Sequence, residues 1–215
     1  MNPSVLFLDV DDTLYPHSCG LWAAVGDRIQ SYLENRVGIP PGESEELRQR
    51  FLGMYGTTLR GLQTEFEVDV EEYLGYVHDV PIDQLLEPNP DLHAMLSAVE
   101  WSTYYFTNAY RPYTERVLDR LGILSLGFEI IDIRALEFEN KPLPGAYRRA
   151  LAIAGDPSPA DCVLVDDRIA NLLPAAELGM QTVLVGRNPE GAENSHCVIP
   201  DITDLLAVVP GLRGF

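Results

Sequence analysis

The chain has 215 residues, 46% of them hydrophobic, and its 33 acidic side chains outnumber 15 basic ones to give a formal net charge of −18. That length suits one domain, or one domain carrying an insertion, with roughly 70% of the unfolded surface removed from water. The charge argues against nucleic-acid polymers and anionic membranes as partners, whereas a small phosphorylated metabolite is admissible where a metal ion reverses the sign locally.

Cys19, Cys162 and Cys197 are odd in number and lack metal-ligand spacing, which suits reduced thiols rather than a disulfide framework. Met1-Asn2-Pro3 runs into a strand-like stretch without a basic leader, and no window approaches the roughly 20 apolar residues that cross a bilayer. A cytoplasmic protein, monomer or homodimer, is expected.

In chain order, the apolar run Val5 to Leu8 reads as a buried parallel strand, and three carboxylates, Asp9, Asp11 and Asp12, follow it at once. The region 15–86 holds no convincing strand and several helical patterns. Val25, Ile29, Tyr32, Leu33 and Val37 form one, Leu47, Phe51 and Met54 a second, and Leu74 with Val77 a shorter third. Tyr15-Pro16 and Glu87-Pro88-Asn89-Pro90 read as the strings joining this inserted helical subdomain to the rest.

Beyond it, strand-like runs recur at Thr103 to Phe106, Ile130 to Ile133, Cys162 to Val165 and Thr182 to Val185. Amphipathic stretches lie between them, Thr114 to Leu121 before Gly122 and Ala170 to Leu178 before Gly179. This alternation predicts an α/β protein, a doubly wound parallel sheet with helices on both faces.

In such sheets ligands bind beyond the carboxyl ends of the strands. Crowded acids there repel and raise one another's pKa, and become tolerable when a hard cation such as Mg2+ sits among them. Asp9 is the candidate nucleophile, a carboxylate able to attack phosphorus, and Asp11 the candidate acid/base. Taken alone, the segment also fits a helix N-cap after solvated turn acids.

The second strand ends in Thr107 and Asn108, suited to phosphate-oxygen contacts and equally to ordinary turn chemistry. Lys141, in the rigid loop Glu139-Asn140-Lys141-Pro142-Leu143-Pro144 before the helical stretch Gly145 to Ala154, is a candidate for offsetting charge on phosphate and on Asp9. The strand from Cys162 ends in Asp166 and Asp167, with Asn171 one turn on. The metal set is then Asp9, the Asp11 backbone carbonyl and Asp167, with Asp166 a second ligand or an outer partner.

These residues resemble the haloacid dehalogenase-like hydrolase superfamily, whose four motifs are similar to DVDDTL at 9–14, TN at 107–108, KP at 141–142 and VDD with a following Asn at 165–171. The resemblance spans the chain. It implies a Rossmann-like core over 1–14 and 87–215, a helical cap over 15–86, Mg2+ dependence and a covalent aspartyl-phosphate.

DDTLYPHSCGLWAAV, MYGTTLRGL and the stretch ending LLEPNPDL further resemble the pyrimidine 5′-nucleotidase branch, which implies hydrolysis of nucleoside monophosphates. Arg168 departs from the serine that often follows the paired acids. Asp11 argues against dehalogenation, since attack on a carbon–halogen bond releases halide without a proton donor. The expected function is a Mg2+-dependent phosphomonoesterase; a phosphotransferase or sugar-phosphate mutase sharing the aspartyl-phosphate is the alternative. His17, His78, His93 and His196 share no spacing, and Tyr15, Tyr55, Thr57, Thr58 and Arg60 read first as cap packing.

Overall fold

Successive side chains of a strand point to opposite faces, so an apolar run that does not alternate needs cover on both. In the computed structural model, which describes residues 4–186 and 192–209, all four residues of β1 (Val5–Leu8) are buried. Val5 and Phe7 enter a core with Phe106, Leu164, Tyr147 and Leu172, while Leu6 and Leu8 lie on the opposite face.

The chain divides into two compact units, Met1–Pro16 with Leu86–Phe215, and His17–Leu85. The second unit is helical: α1 (Leu21–Tyr32), α2 (Ser44–Tyr55), α3 (Thr58–Glu65), α4 (Val70–Val77) and the single turn α5 (Ile82–Leu85). Its core is aromatic. Tyr32 meets Tyr73 edge to face at 5.0 Å between centroids, and fully buried Phe51 lies so close to Gly61 that a Cβ there would collide with its ring.

Three readings of this region change. The first helix ends at Tyr32 and continues as one wider turn over Leu33–Val37. Met54, expected on a buried face with Phe51, is 61% exposed, because the buried stripe of this helix narrows to Ser44 and Phe51, seven residues and nearly two full turns apart. Helix α3 was masked by its polar composition; Thr57 starts it by accepting the Arg60 amide at 3.2 Å.

In the first unit α6 (Pro90–Ser97) follows. Pro90 starts this helix rather than belonging to a linker, since its fixed φ suits the first helical position and Asn89 caps the Leu92 amide at 3.0 Å. Then come β2 (Ser102–Phe106), α7 (Arg111–Leu121), β3 (Glu129–Ile131), α8 (Pro144–Ile153), β4 (Cys162–Asp166), α9 (Ile169–Glu177), β5 (Gln181–Val185), β6 (Cys197–Ile199) and α10 (Leu205–Val208).

Strand β3 stops two residues short of the expected Ile133 because the Asp132 carboxylate turns to the amides of Arg111 and Ala135, both at 2.9 Å. The short edge strand β6 gave no periodic signal.

The six strands of the described residues pair in parallel in the order β3-β2-β1-β4-β5-β6, a Rossmann-like α/β sheet. Strand order reverses between β1 and β4, and that reversal opens a crevice at their carboxyl ends. Leu8 pairs with Tyr105 on one side and Val165 on the other. Asp9, Thr107 and the pair Asp166 and Asp167 therefore leave neighbouring strands at about one level.

Candidate active site

The loop after β1 brings its own side chains back to Asp9. Asp12 takes a left-handed φ of 57°, a conformation aspartate tolerates better than most residues, and the amides of Thr13 and Leu14 return to the Val10 carbonyl. The Thr13 hydroxyl thereby donates to Asp9 Oδ2 at 2.9 Å and accepts the Asp167 amide at 3.0 Å, tying the ends of β1 and β4 together.

Lys141 is the only lysine in the chain and is fully buried. Its Nζ donates to Asp9 Oδ1 at 2.8 Å and Asp166 Oδ2 at 2.7 Å. Asn108 grips the lysine backbone at two points, its amide donating to the Lys141 carbonyl at 2.9 Å and its oxygen accepting the Lys141 N–H at 2.8 Å; Asn140 donates to the same carbonyl. Thr107 is buried and its hydroxyl accepts the Ala109 amide at 3.0 Å, holding the turn after β2.

Asp166 is saturated with donors: Lys141, the Arg168 amide at 2.9 Å, and Asn171 Nδ2 at 2.9 and 3.0 Å. The Arg168 contribution is its backbone, while its side chain is exposed. Asp167 differs, for its carboxylate takes no hydrogen bond from any described residue.

Oxygen atoms of Asp9, Asp166 and Asp167 lie within 4.8 Å of one another. With one ammonium among them, negative charge is in excess. Burial, reinforced by Asp166 and Asp11 and opposed by Lys141, raises Asp9 to about 7. Burial and then the charges of Asp9, Asp166 and Asp12 lift Asp167 to about 9. Burial alone would lower the Lys141 pKa, but its two carboxylates overcome this and raise it.

The carboxylate of Asp11 stands apart from that trio. Its Oδ1 accepts two phenol hydroxyls, Tyr15 at 2.6 Å and Tyr113 at 2.8 Å. Burial raises Asp11 to about 6, and the two phenols oppose the rise. Tyr15, expected on the cap side of the hinge, falls in the sheet-bearing unit.

The sequence brought Asp9, Asp11, Thr107, Asn108, Lys141, Asp166 and Asp167 into view, and the fold gathers them at one edge. It did not single out Thr13, although its motif spacing was in plain sight, or Tyr113, whose helix carried no sign of a polar task. Three of the histidines make contacts away from this cluster: His78 with the Leu74 carbonyl, His93 with the Ser97 hydroxyl and His196 with the Thr182 hydroxyl.

A Rossmann-like sheet whose strand ends converge on a buried carboxylate and lysine cluster defines a class of α/β protein with its chemistry at the topological switch point. The chain belongs to the haloacid dehalogenase-like hydrolase family, whose model matches residues 3–179. Phosphate metabolism protein 8 of Saccharomyces cerevisiae is 27% identical over 195 residues, 84% of this chain and 60% of that protein, so the chain spans about 60% of its relative's length.

Among solved structures, a HAD phosphatase from Thermococcus onnurineus is 20% identical with a TM-score of 0.62, covering 99% of this chain and 100% of that one. L-2-haloacid dehalogenase from Xanthobacter autotrophicus, with chloropropionic acid covalently bound, is 16% identical with a TM-score of 0.61, covering 97% and 99%. At these identities the likeness is one of fold.

Proposed function

We propose that this hydrolase is a Mg2+-dependent phosphomonoesterase acting on a small phosphorylated metabolite through an aspartyl-phosphate on Asp9. The observation that carries the reading is the pairing of a buried carboxylate, held by one hydrogen bond on each oxygen, with a second carboxylate two residues on that keeps one oxygen open.

Asp9 forms a bond to phosphorus as the ester oxygen departs, and that oxygen takes a proton from Asp11. Water then attacks the phosphorus of the aspartyl-phosphate, yields a proton to the Asp11 carboxylate, and the bond from phosphorus to Asp9 breaks to free inorganic phosphate. Lys141 offsets charge on Asp9 throughout, and Thr13 fixes the plane of the nucleophile.

The residues fit a divalent cation. Asp167, unbonded and raised by burial and like charge, is a carboxylate lacking a counterion, and Asp9 lies beside it. These two and the Asp11 backbone carbonyl would hold Mg2+, while Asp166, engaged by three donor groups, orients Lys141 from outside. When bound, Mg2+ supplies positive charge against the phosphate oxygens.

Dehalogenation accounts less well for Asp11, since a departing halide needs no proton. In the same proposal His17–Leu85 acts as the cap that selects the ester, with pyrimidine nucleoside monophosphates first among candidates, and the protein works in the cytoplasm. No helix among the described residues is long and apolar enough to cross a membrane.

Phosphate release measured with Mg2+ over nucleotides, sugar phosphates and aryl phosphates tests the reading. Release from at least one class, lost in Asp9→Asn, is expected. An isomerised phosphosugar without free phosphate would favour the mutase alternative, and undiminished release by Asp9→Asn would remove Asp9 from the mechanism.

A further inference from the structure

We propose that Tyr15 and Tyr113 are positioning residues that pin the Asp11 carboxyl group by Oδ1 and thereby aim Oδ2, the proton-carrying oxygen, at the leaving group. The inference rests on the reading of Asp11 as the acid and adds to it which atom acts and what holds it.

The geometry is asymmetric. Both phenols address the same oxygen, at 2.6 and 2.8 Å, which are full-strength O–H···O distances. Oδ2 takes no hydrogen bond from any described residue. A carboxylic acid carries one proton, and an oxygen already accepting two hydroxyls is the poorer place for it, so the proton resides on Oδ2. During the transfer that proton passes to the ester oxygen, and Asp11 is left as a carboxylate still held by both phenols.

Rigidity is the second half of the argument. The terminal torsion of an aspartate is broad and roughly two-fold, so an untethered Asp11 would exchange its two oxygens. The tethers come from different parts of the first unit: Tyr15 from the segment leaving β1, Tyr113 from the first turn of α7, 102 positions from Asp11. Both are buried, at 3% and 0% exposure, so their rings are fixed by packing before any ligand arrives. A misplacement of about 1 Å in such a group costs about 100-fold in rate.

Aid from Asp11 matters in proportion to how poorly the leaving group departs. An alkyl phosphate needs its oxygen protonated, whereas p-nitrophenolate leaves without help. Tyr113→Phe, Tyr15→Phe and the double variant are therefore assayed with Mg2+ on an alkyl phosphate and on p-nitrophenyl phosphate, with Asp11→Asn and Tyr105→Phe alongside. Tyr105 is a control for phenol deletion, its buried hydroxyl having no partner among the described residues.

The double variant is expected to lose roughly 10-fold or more in kcat on the alkyl ester, within the roughly 10²- to 10⁴-fold that a positioned acid supplies. KM should stay unchanged, p-nitrophenyl phosphate should be affected less than about 3-fold, and Tyr105→Phe should behave as the parent on both. Single variants should fall between, since each keeps one tether.

Equal losses on both esters, or a change in KM alone, would reduce the tyrosines to packing residues and overturn the inference. So would parental kinetics in the double variant while Asp11→Asn shows the leaving-group dependence. Absence of that dependence in Asp11→Asn itself would instead overturn the reading of Asp11 on which the inference stands. Should the double variant fail to fold, the single variants carry the same comparison.

Discussion

The two units bury different things. Every carboxylate and ammonium buried among the described residues, namely Asp9, Asp132, Lys141 and Asp166, belongs to the sheet-bearing unit. The helical unit buries Tyr32, Phe51, Leu62 and Tyr73, and keeps its ion pairs where solvent reaches them, as in Arg36 with Glu72 and Arg50 with Glu65. Apolar packing stabilises wherever it occurs, whereas burying charge costs stability unless every partner is present. The sheet-bearing unit accepts that cost around one lysine, and chemistry is what such an arrangement offers in return.

The sharpest way to break this contrast is to remove the lysine. Lys141→Ala leaves Asp9 and Asp166 facing each other in a buried site, and should destabilise the protein by about 3–5 kcal/mol in denaturant unfolding, with loss of phosphate release. The complementary exposed pair should be nearly silent: Arg36→Gln, which removes a single 3.4 Å contact with Glu72, is expected to leave Tm unchanged within error, because surface ion pairs contribute little. A comparable loss in both variants would erase the distinction between the units.

Next in size is a packing change confined to the helical unit. Gly61→Ala drives a methyl group into the Phe51 ring and should cost about 1–3 kcal/mol, with catalytic constants close to parental. Asn108→Ala should cost a similar 1–3 kcal/mol by leaving the Lys141 backbone without its two-point grip, yet lower kcat as well. Stability and activity would thus separate in one unit and move together in the other.

The smallest and most diagnostic effect is on pH dependence. Asp9 and Asp167 are raised to about 7 and about 9 in the folded, metal-free protein, above the value of about 3.9 for an unfolded aspartate. The folded state then holds protons that the unfolded chain has released, so this cluster's contribution to stability is present below about pH 4 and falls as pH rises through about 7 to 9. Mg2+ should reverse the loss, raising Tm more at pH 8 than at pH 5 in thermal scans, and chelation should restore the metal-free profile. An equal Mg2+ effect at both pH values would separate the ion from these carboxylates.

Much of the site was legible because its residues are punctuated by strand ends. Asp9, Thr107 and Asp166 each follow an apolar run, and a parallel sheet brings such ends to one edge by its connectivity alone. Asn108 was legible as a residue but not as a partner: its amide reads in isolation as a phosphate contact, and only the approach of the 140–142 loop reveals two bonds to Lys141. Tyr113 left no mark, since a tyrosine in the first turn of an amphipathic helix is indistinguishable from packing until the residue facing it is known.

The sequence by itself determined the alternation of strands and helices, the break in that rhythm over the helical region, and which acids, amide and ammonium stand where strands stop, because hydrophobic period and turn chemistry are local. Tertiary structure alone decided that Lys141 bridges Asp9 and Asp166, that Thr13 joins two strand ends, and that Asp11 keeps one oxygen open while two phenols occupy the other. Apart from the four-residue contacts of Thr13 with Asp9 and of Tyr15 with Asp11, those are distances between residues far apart in the chain, fixed by strand register and by how helices seat on the sheet, and no local pattern encodes them.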